Sequence, residues 1–134
     1  QHIYVLQIIS LLVENLIDVN DHYRERHDEN SELITSIMEY INYNYFKPIS
    51  LDEIATYTNY NKSYLSTLFK KKIGITIFEY LKNIRLEHCL KELKTTDKNI
   101  VDIALNNGFA NIQSFNKVFK EVYHQTPLQY KKSK

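Results

Sequence analysis

The sequence predicts an all-α chain, and three observations carry that reading. Only two Gly and two Pro occur among 134 residues, too few for a β-rich fold with many turns or for a low-complexity linker. Apolar residues recur at helical spacing, most plainly in Thr76–Leu93, where Phe78, Leu81, Leu86, Cys89, Leu90 and Leu93 fall broadly on one face. Similar segments flank that stretch on both sides. Before it stands Glu53-Ile54-Ala55 … Tyr64-Leu65-Ser66-Thr67-Leu68-Phe69-Lys70; after it stands Asp102-Ile103-Ala104 … Gly108-Phe109 … Ser114-Phe115-Asn116-Lys117-Val118-Phe119-Lys120. Two like helical units joined by a central helix, with a long helix in front, is the expected organisation.

Residues 3–26 open the chain. Val5, Ile9, Leu12, Leu16, Val19 and Tyr23 alternate spacings of four and three, the pattern of a coiled-coil seam, and Leu6, Val13 and Ile17 widen it. Two readings stand: an amphipathic helix packed on its own domain, or a self-association helix belonging to an upstream domain. Asp21–Asn30 is polar and charge-dense, a helix tail or a hinge. A second helix is expected from Ser31, with Leu33, Ile34, Ile37, Ile41 and Tyr45 inward and Pro48 closing it.

Ser50 and Glu53 have capping-box spacing and open a short helix through Leu51, Ile54 and Ala55. Tyr57-Thr58-Asn59-Tyr60 reads as a tight turn in which Asn59 can adopt the left-handed conformation. Asn61 caps a helix to about Lys72, with Leu65, Leu68 and Phe69 inward and Lys62, Ser63, Ser66, Thr67 and Lys70 outward; Gly74 breaks it. Thr76 and Glu79 form the next capping box, opening a rod of roughly 27 Å at ~1.5 Å per residue. Asn99 caps a short helix carrying Ile100, Ile103, Ala104 and Leu105, and Gly108 makes the turn. Asn111 caps the next, through Ile112, Phe115, Val118 and Phe119, leaving Gln113, Ser114, Asn116, Lys117 and Lys120 outward. Thr126-Pro127-Leu128-Gln129 combines a cap, a Pro at the first helical position and a Gln at box distance.

Two short helices joined by a three- to four-residue turn make a helix-turn-helix pattern. Here it occurs twice, at about 51–72 and about 100–122, around a linker helix at about 76–94. The Ile-Ala pair recurs at an offset of 49 and the hydrophobic-Phe-Lys triplet at an offset of 50, so the extra residue falls in the turn.

Charge and composition narrow the chemistry. Residues 1–30 carry two Arg against six acidic residues, a net −4; residues 31–134 carry fifteen Lys/Arg against ten acidic residues, a net +5. The basic part holds the repeated units, as a footprint for phosphate requires. A single Cys excludes a disulfide framework, and the five His are scattered, so no metal site is expected. No P-loop, Gly-rich dinucleotide turn, G-x-S-x-G motif or paired metal ligands are present, and Asp52-Glu53 suit a helix start better than acid–base chemistry. The expectation is a non-enzyme without cofactor. The longest apolar run, Ile8–Val13, is broken by Ser10, so no membrane span or signal peptide is expected and the location is read as cytoplasmic. A chain opening on Gln reads as a fragment of something longer.

From about Ser31 to Tyr130 the residues resemble the DNA-binding domain of the AraC/XylS family of bacterial transcription regulators. Its most specific carriers are Tyr64-Leu65-Ser66-x-Leu68-Phe69-Lys70-Lys71 with Gly74, then Tyr80-Leu81-x-x-x-Arg85-Leu86, Ile103-Ala104-x-x-x-Gly108-Phe109, and Phe115-x-Lys117-Val118-Phe119-Lys120 followed by Thr126-Pro127-x-x-Tyr130. The resemblance implies seven helices over 31–134, two recognition helices entering successive major grooves, and a separate sensing or oligomerising domain upstream, of which 1–30 is the end and linker. It implies transcription regulation with double-stranded DNA as partner; activation is the expected sense, RNA polymerase is a candidate partner, and the apolar seam of 3–26 makes a homodimer a candidate assembly.

Carried over by position, Ser63, Ser66 and Thr67 are the base-reading set of the first recognition helix, and Ile112, Gln113 and Lys117 that of the second. Gln113 can pair bidentately with adenine, Lys117 can donate to guanine, and Ile112 can touch a thymine methyl. Lys62, Lys70, Ser114 and the helix N-termini at Asn61 and Asn111 suit phosphates. The chain departs from the family's usual Gly at Asn59, Ser at Asn61 and small residue at Cys89, which reads as a buried small hydrophobe rather than a reactive thiol. Small readers on the first helix predict that the second carries more of the base selectivity. A helical protein-interaction module using the same scaffold without specific DNA binding is the competing reading.

Overall fold

The computed structural model describes Ile9 and residues 24–133. Among these residues seven helices follow one another without a strand: α1 (Arg24–Asn44), α2 (Leu51–Thr58), α3 (Lys62–Ile73), α4 (Ile77–Thr95), α5 (Ile100–Asn106), α6 (Ile112–Tyr123) and α7 (Pro127–Lys132). The chain divides into two compact units. The described part of Gln1–Asn44 with Ile49–Leu81 forms the first, and Tyr45–Pro48 with Lys82–Lys134 forms the second.

In the first unit, α1 is already helical at Arg24, ahead of the start expected at Ser31. The hinge reading of this stretch gives way to helix there because Arg24, Glu25, Arg26 and Glu29 are strong helix formers. The seam expected over 3–26 otherwise lies outside the described residues, apart from Ile9, which is buried. Leu33, Ile34, Ile37, Met38 and Ile41 bury one stripe of α1 at three- and four-residue spacing. Ile54 of α2 and Leu65, Leu68, Phe69 and Ile73 of α3 are buried in the same unit.

Local chemistry sets the ends of α2 and α3. Ser50 Oγ accepts from the Glu53 amide at 3.1 Å, while the Glu53 carboxylate takes the Tyr40 hydroxyl at 3.1 Å. Tyr57 and Thr58 remain helical, and the turn begins at Asn59, which holds φ 61° and ψ 35°. Gly74 ends α3 at φ 89°. The Thr76–Glu79 box then forms in both directions, at 3.0 and 3.1 Å.

Helix α4 departs from the single face expected of it. Phe78 is 48% exposed, whereas Ile77, Tyr80 and Ile84 are buried. The helix buries two stripes, Ile77/Tyr80/Leu81/Ile84 and Leu86/Cys89/Leu90/Leu93, each with the i, i+3, i+4, i+7 spacing. At about 100° per residue, Ile77 and Leu86 start these stripes on opposite sides of the helix.

The second unit packs Leu86, Cys89, Leu90 and Leu93 against Ile103, Ala104, Phe109, Phe115 and Phe119. Phe115 meets Phe109 at 5.1 Å and Phe119 at 5.6 Å between ring centroids, distances favourable for offset or edge contacts. Tyr45, expected on the inner face of α1, lies past the end of that helix and stacks on His88 at 4.0 Å. Asn107 is buried at the turn, its amide donating to the Ile103 carbonyl at 2.8 Å. Gly108 follows at φ 99°. Thr126 and Gln129 close a reciprocal box around Pro127.

Candidate nucleic-acid interface

In each unit the second helix of the repeated pair has a polar outer face because its inner face is spent on the core. On α3, Leu65, Leu68, Phe69 and Ile73 point inward, which leaves Lys62, Ser63, Ser66, Thr67 and Lys70 exposed. On α6, Phe115 and Phe119 are fully buried, while Gln113, Ser114, Asn116, Lys117 and Lys120 are exposed. Gln113, Lys117 and Lys120 follow one another at four and three residues, so they share a helical face.

The start of each of these helices is fixed by an Asn. Asn61 Oδ1 accepts from the Tyr64 amide at 3.0 Å, and Asn111 Oδ1 accepts from the Ser114 amide at 2.8 Å. Both oxygens, and the amide of Ser114, are therefore engaged within the helix. An anion at either end would meet the earlier amides, those of Lys62 and Ser63 or of Ile112 and Gln113, which the cap leaves unpaired by geometry. The Ser114 hydroxyl remains on the exposed side.

Several predicted residues have partners that local spacing did not reveal. Lys62 Nζ lies 2.9 Å from Asp52 Oδ1. Lys70 Nζ donates to the Gly74 carbonyl at 3.1 Å, where a cation also complements the negative end of its own helix. Ile112 is half-buried and packs against the second unit's core, so only part of its side chain faces outward. Ser63, Ser66 and Thr67 are exposed as expected and line a shallow depression with Leu51, Asp52 and Lys62. Asp52, expected only to suit a helix start, also lies beside this outer face of α3.

The thiol is accounted for by packing. Cys89 is fully buried, its Sγ donates to the Ile103 carbonyl at 3.7 Å, and burial with nearby Glu92 pushes its pKa up to about 12. Among the described residues no cluster of His, Cys, Asp and Glu could hold a metal ion, and no helix is long and apolar enough to cross a membrane.

Comparison with known proteins decides the family. A helix-turn-helix domain model matches residues 54–133. The HTH-type transcriptional activator AarP of Providencia stuartii is 36% identical over 112 residues, covering 83% of each chain. This chain belongs to the AraC family of helix-turn-helix transcriptional regulators. An uncharacterized HTH-type transcriptional regulator of Staphylococcus aureus (strain COL) is also 36% identical over 102 residues, covering 76% of this chain and 14% of that protein. The chain thus spans a small part of the staphylococcal relatives' length. Among solved structures, a transcriptional regulator from Chromobacterium violaceum with an AraC-type DNA-binding domain superposes with a TM-score of 0.70 at 28% identity, covering 75% of this chain and 89% of that one. The AraC-type assignment accounts for the paired pattern of α2–α3 and α5–α6.

Proposed function

We propose that this chain binds double-stranded DNA sequence-specifically as part of a bacterial transcription regulator, with α3 and α6 as its recognition helices. The observation that carries the reading is the exposed polar stripe on each helix, directly behind a buried apolar one. The major groove presents a distinct donor and acceptor pattern for each base pair, and side chains on a helix can read it. Gln113 and Lys117 are the base readers with reach; Ser63, Ser66 and Thr67 read at shorter range. Lys70 and the helix N-termini hold phosphates on any duplex and Lys62 does so at the cognate site, with Lys62 and Lys70 exchanging their internal partners for the backbone of DNA. The relative AarP is named an activator, and activation through contact with RNA polymerase in the cytoplasm is the sense in which this chain acts. Self-association through residues 3–26 rests on the apolar seam in the sequence.

Titration against duplex DNA at several salt concentrations tests the central claim. Specific binding with a steep salt slope is expected. Gln113→Ala and Lys117→Ala should each lose roughly 1–3 kcal/mol at the cognate site and relax preference at one base position. Lys70→Ala should weaken all sequences alike and flatten the slope. Binding indifferent to salt and sequence would instead favour the protein-interaction module.

A further inference from the structure

The two units repeat the same helical pair, yet they differ in charge beside the recognition helix. At the offset of 49 that relates the first helices, Asp52 corresponds to Val101. At the offset of 50 that relates the recognition helices, Lys62 corresponds to Ile112, Ser63 to Gln113 and Thr67 to Lys117. The positions that carry Val101 and Ile112 in the second unit carry an ion pair in the first, Asp52 Oδ1 to Lys62 Nζ at 2.9 Å, with side chains 77% and 53% exposed. Asp52 is also shared by two shallow depressions. One is lined with Ser63, Ser66 and Thr67, the other with Asn59, Asn61 and Ser63 at the start of α3. Its carboxylate stands at the edge of the face assigned to bases and phosphates.

We propose that Asp52 is a specificity-determining residue of the first unit, a fixed negative charge that suppresses binding to non-cognate DNA. The inference rests on the DNA-binding reading above. Two physical effects produce it. An ionised carboxylate neutralises Lys62, so a phosphate must displace it before gaining that cation. The same carboxylate can only accept hydrogen bonds, so it opposes phosphate oxygens and the acceptor edge of guanine while tolerating an amino group such as cytosine N4. Sequence-independent attraction falls more than binding to a site that places a donor there. A unit with small readers gains discrimination from repulsion where it has little from long side chains.

The test is Asp52→Asn, which keeps the shape and removes the charge; loss of an exposed ion pair leaves the fold nearly as stable. Random duplex should bind roughly three- to tenfold tighter, with the log–log salt slope steeper by about 0.9, one additional phosphate neutralised. Cognate binding should gain less, so the ratio of specific to random affinity falls. Lys62→Ala should change random binding little in the wild-type background and reverse the gain in the Asp52→Asn background, a coupling that a double-mutant cycle isolates. Glu53→Gln removes the same charge where Glu53 is engaged by Tyr40, and should have the smaller effect. Random binding and slope unchanged by Asp52→Asn, or equal gains from Glu53→Gln, would overturn the inference while leaving DNA binding intact. Weaker binding to all duplexes in Asp52→Asn would also overturn it, since Asp52 would then be positioning Lys62 for phosphate. A wild-type chain that binds no duplex would defeat this inference and the proposed function together.

Discussion

Arg85 Nε donates to the Tyr45 carbonyl at 2.7 Å across forty residues of sequence, and Arg85 Nη2 donates to the Lys47 carbonyl at 2.9 Å. One guanidinium thereby holds the Tyr45–Pro48 segment in the second unit with two charge-assisted hydrogen bonds. Gly108 lies against both members of the first bond: a Cβ built there meets the Tyr45 carbonyl oxygen and Arg85 Nε, at a φ of 99°. Gly108→Ala should therefore cost roughly 2–4 kcal/mol, combining left-handed strain with overpacking. Gly74 has a similar φ of 89° but nothing within 4 Å of an added Cβ, so Gly74→Ala should cost only about 1–2 kcal/mol. Denaturant midpoints of the two variants give the comparison; equal losses would show that the Arg85–Tyr45 contact does not crowd Gly108.

Acid should destabilise the second unit through His88. Its ring stacks on Tyr45 with planes 7° apart, and its pKa is lowered by burial first and by Lys91 second, with Glu92 acting in the opposite direction. A lowered pKa means that the unfolded chain binds this proton more readily than the folded one. Stability from neutral His88 is therefore complete above the ordinary value of 6.5 and declines as the pH falls through 6.5 toward the depressed folded pKa. Chemical unfolding at about pH 7.5 and about pH 5.5 should show a smaller loss for His88→Gln than for the parent chain. Glu87, whose carboxyl is raised by burial, titrates in both proteins and cancels in that difference. Identical losses would remove His88 as the source.

Cys89 should be silent to thiol reagents in the native state. The thiolate is the reactive form, and a buried thiol pushed up to about 12 supplies almost none at neutral pH. Labelling should follow the opening of the core and accelerate in step with denaturant-induced unfolding. Cys89→Ala, which trades the sulfur for a small void, should cost about 1 kcal/mol. Fast labelling under native conditions would place the thiol at the surface.

The helix starts were legible because capping is a local code. Ser50, Asn61, Asn99, Asn111 and Thr126 each accept from an amide two or three residues on, as their spacing predicts. Asn59 and Gly108 likewise adopt the positive φ that their types tolerate. Pairings between helices were not legible. The Tyr40–Glu53 bond and the Lys62–Asp52 pair join residues whose sequence spacing carries no signal, because tertiary packing sets them. Helix α4 departs from one apolar face for a related reason: its two buried half-faces serve successive parts of one helix, and only packing reveals that division. The proposed base-reading set rests on the family resemblance alone, since an exposed Ser or Gln looks the same on any solvated helix.

The ends of α2, α3 and α6 offer a last prediction, because all three stop on a left-handed residue but only one is Gly. Asn59 sits at φ 61° and ψ 35°, Gly74 at φ 89°, and His124 at φ 61° and ψ 20°. At His124 the backbone amide donates to the Lys120 carbonyl at 2.9 Å, so the conformation is fixed by the cap rather than by the side chain. Histidine in that region carries a strain of roughly 1–2 kcal/mol that Gly avoids, against roughly 0.5–1 kcal/mol of extra unfolded-chain entropy for Gly. His124→Gly should therefore stabilise the second unit by about 0.5–1 kcal/mol. Asn59→Gly should change less, since Asn tolerates this conformation better than His. Thermal and denaturant melts of both variants decide it. A destabilised His124→Gly would mean that the exposed imidazole contributes a contact worth more than the backbone strain it imposes.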